Sequence, residues 1–83
     1  MSFRWLNKQG VESSDGFVLQ RVDRFHYHYI RAGNHLKIIV EPGVNAEEIS
    51  SNSLETLSPE MQASVKCDLI QALDFMGIRH RFS

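Results

Sequence analysis

Arg24-Phe25-His26-Tyr27-His28-Tyr29-Ile30-Arg31-Ala32-Gly33-Asn34-His35-Leu36-Lys37-Ile38-Ile39-Val40-Glu41 reads as two β-strands joined by a tight turn. Phe25, Tyr27 and Tyr29 alternate with Arg24, His26 and His28, and beyond the turn Leu36, Ile38 and Val40 alternate with Lys37, Ile39 and Glu41. With Gly33-Asn34 as the two-residue turn, hairpin geometry pairs Tyr29 with Ile38, Tyr27 with Val40 and Arg31 with Leu36 on one face. The opposite face then pairs His28 with Ile39, Ile30 with Lys37 and His26 with Glu41. The first face is a core and the second is mixed.

Working upstream, Phe17 to Val22 is a further strand, returned into the hairpin by Asp23-Arg24. Pairing Val22 with Phe25 puts Val18 and Gln20 on the core face and Phe17 and Leu19 on the other, unless a bulge flips them. Ser13-Ser14-Asp15-Gly16 marks a reversal. Before it, Phe3, Trp5 and Leu6 suit a short edge strand or an ordered arm, with Trp5 as a lid on one end of the core; Val11-Glu12-Ser13 extends a strand toward the reversal.

Downstream, Pro42-Gly43 ends the hairpin, because proline donates no ladder bond. Glu47 to Ser51 reads as a short strand inside a polar loop. Ser58-Pro59-Glu60 opens a helix, with serine at the N-cap, proline at the first helical position and a carboxylate against the dipole; Gly77 stops it. Met61, Val65, Leu69, Ala72, Leu73 and Met76 make one apolar stripe, with Ser64, Gln71 and Asp68 on the far side. Ile70 forms a smaller second spot, suited to cover by the N-terminal arm or to contact with another protein or another copy. Ile78 to Phe82 alternates as a last strand. The expected fold is therefore a single α+β domain over residues 1–83: a small antiparallel sheet of four to five strands with one C-terminal helix packed on one face, in the order β-β-β-(β)-α-β.

Eighty-three residues bury a small core, which makes an oligomer or a tight partner a natural expectation. No apolar run reaches the roughly 20 residues of a membrane span and the first residues lack a signal-peptide core, which points to a cytoplasmic protein without membrane contact. The lone Cys67 forms no intrachain disulfide and falls inside the helix, where it packs as a small side chain. A net charge of −1 argues against direct nucleic-acid binding, which needs a basic face. That charge is unevenly spread: residues 41–60 carry Glu41, Glu47, Glu48, Glu55 and Glu60 and no Lys or Arg.

No phosphate loop, paired-cysteine site or nucleophile motif is present, and the residues call for no cofactor. His26-x-His28, with Glu41 across the strand, has the donor types of a zinc site, although solvated strand histidines are the simpler reading. The row Phe25, Tyr27, Tyr29 has the spacing of a base-stacking sheet, but Leu36, Ile38 and Val40 share its face, which favours core over an RNA-binding module.

Three segments together, Gly16 to Gln20 with Arg24-Phe25 and Tyr27 to Tyr29, then Ser51-Asn52-Ser53-Leu54-Glu55, and then Leu57-Ser58-Pro59-Glu60 through Ala72 to Ile78, resemble a family of small bacterial immunity proteins. These are encoded beside polymorphic or contact-dependent toxins, including those of the Neisserial Maf type. The resemblance implies a stoichiometric inhibitor without chemistry of its own, whose partner is a cognate toxin domain, in the first place a ribonuclease. Glu41, Glu47, Glu48 and Glu55, with Arg24, His26 and His28 on the adjoining hairpin face, are the partner-binding residues expected on this reading, since an acidic surface complements a basic nuclease site. A homodimer or regulatory interaction module is the alternative.

Overall fold

In the computed structural model, which describes residues 2–82, the Tyr27 and Tyr29 face is buried as the alternation requires. The two hairpin strands are β4 (His26–Arg31) and β5 (Asn34–Glu41). They join β1 (Phe3–Asn7), β2 (Gly10–Ser13), β3 (Phe17–Asp23), β6 (Glu47–Ile49) and β7 (His80–Phe82) in one sheet whose strands lie side by side in chain order. Helix α1 (Pro59–Met76) lies between β6 and β7 in the chain, after a 3-10 turn over Ser51–Leu54. The sheet curls into a half-barrel.

This corrects the expected sheet of four to five antiparallel strands: among the described residues seven are present and the sheet is mixed. Two physical causes account for the difference. The segment expected as a single edge strand or arm is folded back on itself, because Asn7 Oδ1 accepts the Gln9 amide at 2.8 Å and closes a tight turn from Asn7 to its cross-strand partner Gly10. β1 and β2 thus pair as a hairpin, Phe3 with Ser13 and Trp5 with Val11. At the other end, the helix carries the chain back so that β7 runs parallel to β6, Glu47 beside His80 and Ile49 beside Phe82.

The central turn sits one residue earlier than expected. Ala32 (φ 51°) and Gly33 (φ 79°) occupy it, both in the positive-φ region that a type I′ hairpin demands. Tyr27 therefore faces Ile38, and Tyr29 faces Leu36. Each partner moves by two residues, so every side chain keeps its face. Between β3 and β4 the shift is by one. An irregularity between Arg21 and Asp23 pairs Leu19 with Tyr29 and Phe17 with Arg31, and the faces of β3 are exchanged. Phe17 and Leu19 are fully buried, whereas Val18 and Gln20 are partly exposed.

The core unites Val11, Phe17, Leu19, Tyr27, Tyr29, Ile38, Val40 and Ile49 of the sheet with Leu54 and with Val65, Leu69, Ala72 and Leu73 of α1. Fully burying such side chains contributes about 1.5–3 kcal/mol each before entropy is subtracted. The helix begins and ends as its sequence dictates. Ser58 Oγ accepts the Met61 amide at 3.2 Å, and Gly77, at φ 75°, turns the chain so that the Ile78 amide reaches the Leu73 carbonyl at 2.9 Å. Met61, expected in the core stripe, is half exposed. Phe3 and Trp5 stack on Phe75, with ring centroids 5.3 and 5.6 Å away, so the N-terminal strand covers that residue and leaves Ile70 40% exposed. No helix among the described residues is long and apolar enough to cross a membrane.

Candidate functional site

The outer face of β4, β5 and β6 collects most of the residues expected to bind a partner. His26 and His28 share this face, as alternate residues must. His26 Nδ1 lies 2.8 Å from Asp23 Oδ1, and the same carboxylate accepts the Phe25 amide at 2.8 Å. That backbone bond first, and the imidazole second, hold the Asp23 carboxyl below its usual range. His28 turns away toward His35, whose Nδ1 is 2.9 Å from its Nε2. The trio of His26, His28 and Glu41 does not assemble, because the register sets Ile39, not Glu41, opposite His26. Among the described residues no three His, Cys, Asp or Glu side chains converge on a metal position.

The acidic segment divides by strand alternation. Glu41 and Glu48 are direct cross-strand partners of β5 and β6. Like charges placed so are destabilising, and Arg81, whose Nη2 lies 2.5 Å from Glu48 Oε1, offsets part of that cost. Glu47 points the other way, into the concave side. Glu55, which caps the 3-10 turn, is exposed, as is Arg24 beside the Phe25 ring. Around these charges Phe25, Ile39 and, in the loop joining β5 to β6, Val44 are exposed, Val44 almost completely. The Val40 amide donates to the Phe25 carbonyl at 2.7 Å, which fixes the β3–β4 corner against β5.

On the concave side, two tyrosines of β4 each bridge an arginine and a carboxylate. Tyr27 meets Arg21, its cross-strand partner, and Glu47; Arg21 Nη2 reaches Glu47 Oε1 at 2.5 Å, and Tyr27 Oη donates to Glu47 Oε2 at 3.3 Å. Tyr29 Oη donates to Asp68 Oδ2 at 2.5 Å and accepts from Arg31 Nε at 3.0 Å, while Arg31 Nη2 donates to Asp68 Oδ2 at 3.0 Å. Burial, then the adjacent carboxylate, pushes each phenol up to about 12. Burial works against the charge of Arg21, but Glu47 and Tyr27 outweigh it and raise its pKa; Tyr29 and Asp68 do the same for Arg31. Every buried side-chain nitrogen and oxygen among the described residues has a partner. A half-open recess of about 280 Å³ adjoins the second cluster, between the hairpin tip and the first turns of α1, with Leu36, Leu57, Met61 and Val65 in its wall.

Comparison with known proteins adds no relative. No family model, curated protein or solved structure matches this chain. The functional reading therefore rests on the site itself and on the resemblance in its sequence.

The outer face brings together Glu41, Glu48, His26 and His28, while Glu47 stands behind the sheet and Arg24 and Glu55 lie in the connections around it. Sequence reasoning passed over the two Tyr-Arg-carboxylate clusters. Asp68, expected on the far side of the helix, lies one turn after Val65 and one turn before Ala72, on the flank of the stripe that faces the sheet. That spacing, together with Arg31 two residues after Tyr29, was the available signal.

Proposed function

We propose that the chain is a stoichiometric inhibitor that docks the outer face of β4–β6 onto a basic partner, a bacterial toxin domain of the ribonuclease class, and occludes its active site. The observation that carries the reading is the pairing of Glu41 with Glu48. Two carboxylates set opposite each other cost the sheet stability, of which Arg81 offsets part on the Glu48 side, and a cationic partner would relieve the rest. Beside them stand the exposed apolar side chains of Phe25, Ile39 and Val44, the mixture of anchor and charged rim that protein interfaces carry. His26 and His28 extend the face, Glu55 and Arg24 border it, and Glu47 supports it from behind through Arg21.

The partner side follows from charge. A nuclease groove that holds phosphates is basic, and the Glu41 and Glu48 carboxylates, on a face that also carries Lys37 opposite His28 and Arg81 beside Glu48, steer it into association that weakens as salt rises. The test is titration of the purified protein against the toxin domain encoded beside its gene, with nuclease activity as a second readout. One-to-one binding that abolishes activity is expected, and Glu41→Lys with Glu48→Lys slows association on the order of tenfold or more at low salt. Absence of binding to that domain and to other nucleases would sink the reading.

A further inference from the structure

We propose that His28 and His35 together form a two-imidazole site for one late divalent transition-metal ion, copper(II) in the first place. The two side chains come from different strands. The turn at Ala32 and Gly33 sets His28 opposite Lys37 and His35 opposite Ile30, so the histidines are diagonal neighbours on the outer face, within the reach of aromatic side chains. His35 Nδ1 lies 2.9 Å from His28 Nε2, while the ring centroids are 4.8 Å apart. The nitrogens are thus the facing edges of the two rings. His35 is exposed and His28 partly so, which leaves the gap open to an incoming ion.

The separation selects the metal. Two imidazole nitrogens held at the roughly 2.0–2.1 Å of a metal–nitrogen bond stand about 2.9 Å apart when the angle at the metal is a right angle, and about 3.3–3.4 Å apart when it is tetrahedral. The distance between His28 and His35 is the first of these. Right angles between neighbouring ligands belong to square-planar and tetragonal copper(II) and nickel(II), whereas structural zinc is tetrahedral, and copper(II) heads the affinity order.

Without metal, one ring donates its N–H into the gap and the other offers a lone pair. Moving that proton to the far nitrogen of its own ring leaves both imidazoles neutral and presents two lone pairs to one point. Both ligands sit on strands paired from His26 to Arg31, so the rings are held in place before the ion arrives. Among the described residues no third His, Cys, Asp or Glu joins them, and water fills the remaining positions. Lys37, opposite His28, is exposed, and its long stem lets the ammonium stay in solvent. His26 is held instead by Asp23, and His80 Nδ1 by the Ile78 carbonyl. The site needs only these two side chains and does not depend on which partner the outer face takes.

Calorimetric titration of the full chain with Cu2+ at neutral pH, with electron paramagnetic resonance of the bound ion, tests this. One equivalent is expected, coordinated by two imidazole nitrogens. His28→Asn and His35→Asn each break the chelate and should weaken binding on the order of tenfold or more, whereas His26→Asn should leave it unchanged. On the unmodified chain, Cu2+ below one equivalent should broaden the ring resonances of His28 and His35 before those of His26 and His80, a measurement that needs no variant to fold. Equal broadening of all four histidines overturns the proposal. So does an affinity no greater than that of the folded double variant His28→Asn with His35→Asn.

Discussion

Tyr29 and Asp68, 39 residues apart, share a hydrogen bond of 2.5 Å that ties the middle of the sheet to the middle of the helix. Asp68 is almost fully buried and also holds Arg31, so two groups depend on one carboxylate. Asp68→Ala strands the phenol and the guanidinium together and should cost about 3 kcal/mol. Tyr29→Phe keeps the ion pair and should cost roughly 1 kcal/mol. Urea unfolding of the two single variants and the double one measures this, and additivity would contradict a shared carboxylate.

The chain has two tyrosines, and both belong to these clusters. In the unfolded chain a phenol ionises near 10, whereas here burial and a neighbouring carboxylate push each up to about 12. The folded state therefore holds these protons more tightly. Their contribution, on the order of 2 kcal/mol each, is complete below pH 10 and is lost as pH rises through 12. Spectroscopic titration of tyrosinate should show little ionisation at pH 10, then a steep rise coupled to unfolding. Ordinary titration centred at 10 in a still folded protein would contradict both sites.

Ala32 holds a positive φ of 51° in the tight turn between β4 and β5. A side chain without local hydrogen bonding gains nothing in that region, whereas asparagine is favoured there. Ala32→Asn should stabilise the fold by about 0.5–1 kcal/mol, seen as a rise in Tm, with no change in the sheet. A loss of stability would argue against the type I′ assignment.

Stability and binding should move in opposite directions at Glu41. Glu41→Lys replaces a repulsion with Glu48 by an attraction and should stabilise the domain by a few tenths of a kcal/mol. The same change should weaken a basic partner's binding and flatten its salt dependence. Thermal unfolding and association kinetics on one variant check both.

The elements legible in the sequence were those with local punctuation. The helix was bounded by Ser58-Pro59 and Gly77, each closing backbone groups that its own sequence exposes. The β4–β5 faces survived a misplaced turn because the slip was even. The β3 faces did not, since an irregularity near Arg21 changes parity and leaves no mark in composition. The turn at Lys8-Gln9 did carry a signal, Asn7 before it and Gly10 after it, but the aromatic residues on its N-terminal side read equally as an arm. At the candidate site, the alternation of His26 and His28 and the acidity of residues 41–60 were readable. The division of Glu47 from Glu48 required the phase of β6, and the partnership of His28 with His35 required the true hairpin register.

The parallel pairing of β6 with β7 has a bearing on how the molecule is assembled. The first five strands are joined by short connections and can form by successive local closures, the fast route for a sheet. β6 can settle on β5, but its far side receives no partner until the 18-residue helix and residues 80–82 have been made and folded back. A nascent chain thus passes through a stage with a complete meander and a bare strand at Glu47–Ile49. The charges of Glu47 and Glu48 on that strand discourage pairing with a neighbouring chain during the wait, so part of the acidic segment guards the assembly line before it serves the finished surface.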